Sequence, residues 1–122
     1  MAQIAESSAS GPPSTLFHFT TERSMQAILA SEELWPSLKS ENPRDALYGN
    51  GQYLTDIPPG KVSPSVLSYA LVRLPFAGRR FTHYVEIDVT GLEVKPCRES
   101  VYLVEGDYPL GLSGRIKNSG VA

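Results

Sequence analysis

The chain is poor in the residues that build disulfides and metal sites: Cys97, His18 and His83 are its only cysteine and histidines in 122 residues. One thiol excludes an internal disulfide, and these three scattered side chains offer no cluster at zinc-like spacing, so no metal is expected. Excess basic charge is also missing. A net charge of −2 and a pI near 5.6 give no footprint for a phosphate backbone, which speaks against a nucleic-acid partner. Long apolar runs are absent as well: no stretch approaches the roughly 20 residues of a membrane-spanning helix. The opening Met1 to Ser14 has neither the basic start nor the apolar core of a secretory signal, which makes a cytoplasmic location the default expectation. Covalent-catalysis signatures are lacking too. There is no phosphate loop and no G-x-S-x-G elbow, and Cys97 has no evident base partner. Gly49-Asn50-Gly51-Gln52-Tyr53-Leu54 lacks the third glycine of a dinucleotide fingerprint and leads into a strand, which excludes the Rossmann mode.

What is present is ordinary globular material, 41% hydrophobic and 20% charged, long enough for one domain with a real core. The Ser/Ala/Gly/Pro-rich opening suggests a flexible leader over residues 1–14, followed by a domain over 15–117 and a frayed tail over 118–122. Leu16 to Phe19 alternate as a strand, with Phe17 and Phe19 on one face and Leu16 and His18 on the other. Met25, Ile28 and Leu29 then recur at helical spacing behind Thr21, a natural cap, and Glu22, which suits the positive end of a helix dipole. Gly49-Asn50-Gly51 is a turn that feeds a strand over Gln52 to Asp56. Ser63-Pro64 starts a second helix, expected to reach Leu74, with Leu67, Ala70, Leu71 and Leu74 as its stripe and Tyr69 projecting elsewhere. Arg80 to Thr90 carry the clearest alternation in the chain. Val85, Ile87 and Val89 form the buried face, and Tyr84, Glu86 and Asp88 the polar one. Val101 to Val104 read as a strand before a turn over Gly106 to Pro109, and Leu110 to Ile116 as a further strand.

The polar and aromatic residues set on these elements form an unusual group: His18, Tyr53, Tyr69 and Glu99. Each has a plain structural reading, as a satisfied strand histidine, two packing tyrosines and a solvated strand-edge carboxylate. Arg79-Arg80 could meet the pyrophosphate of a dinucleotide but read more simply as a solvated turn, outside the site, and Asp56 reads as a turn cap. The pattern of the whole says more. Tyr48-Gly-Asn-Gly-Gln-Tyr-Leu-Thr-Asp56, followed by Ser63 to Tyr69, resembles the Y-G-x-G-x-Y-F-x-D … S-x-x-Y block of poly(ADP-ribose) polymerases and related transferases. Leu16-Phe-His-Phe-Thr20, Asp45 to Ile57, Phe81 to Leu92 and Leu112-Ser-Gly-Arg-Ile116 together resemble the HYD-signature ADP-ribosyltransferase toxin family of polymorphic toxins and effectors, within the wider His-Tyr-Glu, diphtheria-toxin-like superfamily.

That resemblance implies an α+β fold, with two small antiparallel sheets split around an NAD⁺ cleft and one or two helices outside. It implies an enzyme that cleaves the nicotinamide–ribose bond of NAD⁺, its substrate, and passes ADP-ribose to a macromolecular acceptor such as a protein, or to water as an NAD⁺ glycohydrolase. A neutralising immunity protein is the partner such toxins imply. Carried over by position, His18 holds the adenosine-side ribose, and the main chain at Phe19 or Thr20 anchors the nicotinamide amide. Tyr53 and Tyr69 sandwich the ring, and Ser65, or Ser63, adds a hydrogen bond. Glu99 is the catalytic carboxylate, with Asp56, Glu105 and Asp107 as alternatives. The interval from Tyr53 to Tyr69 is longer than in the polymerases, because Pro58 to Val62 enlarge the loop. The competing reading is a non-catalytic module that binds NAD⁺ or ADP-ribose. A phosphotransferase acting on RNA is a third, disfavoured by the lack of a basic patch.

Overall fold

A computed structural model describes residues 13–73 and 78–122. Residues 1–12 of the expected leader, and Leu74 at the expected end of the second helix, lie outside the described residues. Strand β1 (Thr15–Thr20) leads directly into helix α1 (Glu22–Ser31). Thr21 caps α1, its hydroxyl accepting from the Ser24 N–H, and the chain leaves through Glu32 in the left-handed region. Strands β2 (Glu33–Leu34) and β3 (Gly51–Leu54) follow, then α2 (Pro64–Val72). Ser63 caps α2 and proline fills its first turn, where the missing N–H costs no hydrogen bond. A short 3₁₀ turn (Gly78–Arg80) precedes β4 (His83–Asp88), β5 (Lys95–Arg98), β6 (Val101–Glu105), β7 (Leu110–Gly111) and β8 (Ile116–Val121).

The strands form two three-stranded antiparallel sheets, ordered β1-β4-β8 and β3-β6-β5, and a small β2-β7 pair. This is the expected α+β split-sheet architecture. Alternation on β1 and β4 does bury Leu16, Val85, Ile87 and Val89, together with Met25 and Ile28 of α1. The opposite face is not simply polar, because Tyr84 is buried there with Phe19, Phe81 and Leu67 of α2. The first sheet is therefore covered on both faces, and Tyr84 packs edge-on against Phe17.

The carboxy-terminal residues correct an expectation. In place of a frayed tail, residues 116–121 form β8, paired with β4 from Ile87↔Ile116 to His83↔Val121. Lys-Asn-Ser-Gly has no apolar period because β8 lies at the sheet edge, where its backbone rather than its side chains does the pairing. Strand β5, not foreseen in the sequence, is likewise an edge strand and tolerates Pro96 for the same reason.

Between the two larger sheets runs a split. Among the described residues their backbones meet at the bridge of Phe17 with Thr55, where each N–H donates to the other's carbonyl at 2.8 and 2.9 Å. At the far end of β3, Gly51 is bridged to Ser37. Gly51 is required there, with φ of +148° and Val104 O only 2.1 Å from where a Cβ would stand. Between these two bridges the sheets part, with Tyr53 on one side and His18 and Phe19 on the other.

Candidate functional site

Backbone polarity decides what faces the split. In an antiparallel strand, alternate residues direct N–H and C=O to opposite neighbours. Phe17 spends both groups on Thr55, and Gly51 spends both on Ser37. By the same alternation the peptide groups of Phe19 and Tyr53 point into the split, while those of His18 and Thr20 bond β4. The open stretch thus presents main-chain donors and acceptors at the position where the sheets separate.

The His18 side chain occupies part of that gap. Its Nδ1 lies 3.2 Å from the Tyr53 carbonyl oxygen, and a carbonyl can only accept, so Nδ1 carries the proton. Burial pushes the imidazole below its usual pKa, and the bond to the Tyr53 carbonyl opposes this. The neutral ring then has a lone pair on Nε2, able to accept from a ligand hydroxyl.

Tyr53 is held as firmly. Its hydroxyl donates to the Gly49 carbonyl at 2.6 Å and accepts from the Tyr48 N–H at 2.8 Å. Burial raises its pKa. The phenol is therefore a neutral clamp, and Tyr53 is at the same time part of the cleft wall. The loop it grips is tied down again by Asn50, which accepts from the Lys39 N–H and donates to Asp107. Buried Gln52 donates to the carbonyls of Leu34 and Tyr108, fixing β3 against β2.

The cavity at the split has a volume of about 290 Å³, and His18, Phe19, Thr20 and Tyr53 all line it. A neighbouring cavity of about 370 Å³ shares His18, Thr20 and Ser24 and extends along α1 to Trp35. A histidine thus stands between two adjoining compartments, which together fall in the ~300–1,000 Å³ range of small-molecule sites.

The remaining expected residues stand elsewhere. Helix α2 contributes Leu71 and Val72 to the lining rather than Ser65 or Tyr69. Ser65 is exposed, and Tyr69 is 52% exposed with the Arg73 guanidinium 5.5 Å from its ring centre. Glu99 is exposed in the β5–β6 turn, two residues before Val101, which forms part of the cleft wall. Asp56 accepts from the Tyr102 hydroxyl, Asp107 from Asn50, and Glu105 lies 3.6 Å from Lys95. Among the described residues, the carboxylate that lines the cavity is Asp45, and the guanidinium is Arg80, joined at 2.7 Å. The sequence leaves Arg80 in a solvated turn and gives no sign of its pairing with Asp45, since two loop residues 35 apart in the chain share no periodic signal. Arg98 was missed too: it donates to the last carbonyls of α2, at Ala70 and Leu71, and so locks the helix to the β5–β6 hairpin.

Among the described residues no group of three or more His, Cys, Asp or Glu comes together to hold a metal, and no helix is long and apolar enough to cross a membrane. Comparison with known protein families matches residues 16–116 to the family described as HYD1 signature containing ADP-ribosyltransferase. No curated protein and no solved structure matches the chain significantly.

Proposed function

The chain belongs to the ADP-ribosyltransferases that contain the HYD1 signature, and on that premise we propose that it binds NAD⁺ in the split between β1 and β3 and breaks the nicotinamide–ribose bond. The observation that carries this reading is the convergence of His18, Phe19 and Tyr53 on one cavity. A carboxamide both donates and accepts, which complements the N–H and C=O of Phe19. Tyr53 stacks on the nicotinamide ring, and its π face favours the cationic form. His18 Nε2 accepts from the adenosine-side ribose, with the second compartment beyond it for the adenosine half. Ser65 and Tyr69 join the site only if α2 closes over the ligand.

In the reaction, the C1′–N bond breaks and its electron pair passes to the pyridinium nitrogen, releasing neutral nicotinamide. Positive charge develops on the ribose, and an acceptor hydroxyl, amine, thiol or water adds to C1′ and loses a proton. Glu99 is the proposed carboxylate, accepting from the ribose 2′-hydroxyl and stabilising that charge. Transfer to a protein and hydrolysis share this step. A second reading, binding without turnover, is favoured by one observation, the exposed position of Glu99 outside the cavity lining. Equal binding of ground and transition states gives no acceleration.

The test is nicotinamide release from NAD⁺ by wild type, Glu99→Ala and Tyr53→Ala, with NAD⁺ binding measured by calorimetry. Release that Glu99→Ala abolishes while binding survives supports the enzyme and its carboxylate. Binding without release, with a protein acceptor mixture present, supports the second reading, and neither binding nor release overturns both.

A further inference from the structure

The cavity is lined by neutral groups apart from one ion pair, among the described residues. Its aromatic, aliphatic and hydroxyl walls carry no net charge, and His18 is held neutral. A dinucleotide brings a diphosphate with two negative charges, and burying it without a cationic partner is costly. Arg80 is the cation in place. Its guanidinium lies over the Phe81 ring, 5.5 Å from the centroid, and Phe81 is itself a buried wall of the cavity. That stacking keeps the planar fork at the cleft independently of Asp45.

Asp45 belongs to the loop between β2 and β3, and Arg80 to the turn before β4, so the 2.7 Å contact ties two loops across the cleft. The side chains are 23% and 46% exposed, respectively. Water competes for both partners, and a pair so exposed is weak. A diphosphate offers the guanidinium the same fork geometry and brings two negative charges where Asp45 brings one.

We propose that Arg80 is the diphosphate-binding residue of this cleft and that Asp45 occupies its guanidinium until the dinucleotide displaces it. This rests on the NAD⁺ reading of the site. Asp45 acts here as a resident anion: it competes with the ligand for a guanidinium that Phe81 already keeps at the cleft, so affinity for the diphosphate is set by an exchange of partners.

The experiment is calorimetric titration of the full chain with ADP-ribose, which has the diphosphate, and with nicotinamide, which lacks it. Arg80→Ala is expected to weaken ADP-ribose roughly tenfold or more and leave nicotinamide affinity unchanged. Arg80→Lys, which keeps the charge but not the fork, recovers part of the loss. Asp45→Asn is expected to tighten ADP-ribose by roughly two- to fivefold, and the gain should vanish in the Arg80→Ala background. That double-mutant comparison separates an exchange from the general effect of removing a negative charge. The proposal is overturned if ADP-ribose binds Arg80→Ala as it binds wild type, if Arg80→Ala weakens nicotinamide equally, or if the Asp45→Asn gain survives without Arg80. Wild-type protein that binds neither probe overturns the NAD⁺ reading and the exchange with it, whereas binding indifferent to Arg80 overturns the exchange alone.

Discussion

Replacing Tyr53 by phenylalanine separates the clamp that its hydroxyl forms from the stacking proposed for its ring. The ring is kept, and the hydroxyl that donates to Gly49 at 2.6 Å and accepts from Tyr48 at 2.8 Å is removed. Each such bond contributes about 1 kcal/mol net. The bond to Gly49 is part-buried and the one from Tyr48 is exposed, so water recovers some of the second. The expected cost is about 1–2 kcal/mol, or roughly 4–12 °C in melting temperature for a domain near 100 residues. Stacking area is unchanged, so NAD⁺ affinity should fall only through the loosened loop, by about threefold or less, whereas Tyr53→Ala loses the stacking as well. Thermal unfolding followed by circular dichroism, with calorimetric titration of NAD⁺, reads both quantities. If Tyr53→Phe melts with wild type, the clamp on Tyr48 and Gly49 contributes nothing and the reasoning fails. If Tyr53→Phe loses as much affinity as Tyr53→Ala, the hydroxyl rather than the ring serves the ligand.

Three further outcomes follow from the same contacts. His18 has its pKa lowered in the folded protein, so its contribution to stability is present above the unfolded value of about 6.5 and is lost as pH falls through the folded value. NAD⁺ affinity should drop over that same acidic range as Nε2 becomes protonated, and a pH-independent affinity in His18→Asn, against a falling one in wild type, checks the assignment. Gly51→Ala places a Cβ against the Val104 carbonyl at an unfavourable φ and should destabilise by roughly 3 kcal/mol or more; a denaturant melt coincident with wild type would contradict this. Deleting residues 118–122 removes most of β8 and the bond from the Ala122 N–H to the Thr82 carbonyl. The melting temperature should fall by more than about 5 °C, whereas an unchanged melt would restore the tail reading.

Those elements whose chemistry is local could be read in the sequence. Thr21 and Ser63-Pro64 announce the two helices because a cap acts within one turn, and Leu16 to Phe19 and Val85 to Val89 announce β1 and β4 by alternation. Strands β5 and β8 were hidden because edge strands pair through backbone and leave Lys95, Pro96, Lys117 and Asn118 free of any apolar period. Tyr84 read as polar-side because its burial depends on α2 packing from the other face, which sequence spacing does not encode. The site divides in the same way. His18 and Tyr53 were visible through a motif, and the structure brings both to one cavity. Asp45 and Arg80 were not, since their meeting depends on how two aperiodic loops cross the split. Gln52 was read as one residue of a strand, yet its burial and its bonds to Leu34 and Tyr108 make it a clamp that only tertiary structure reveals.

The central claim, that NAD⁺ sits in the split between β1 and β3, is tested most directly by following backbone and imidazole ¹⁵N resonances during titration with NAD⁺. Saturable shifts are expected at the Phe19 and Tyr53 amides and at His18 Nε2, with Ser65 and the amides of β8 unmoved unless α2 closes. Shifts confined to surfaces away from the split, with Phe19, Tyr53 and His18 unchanged at saturating NAD⁺, would contradict it.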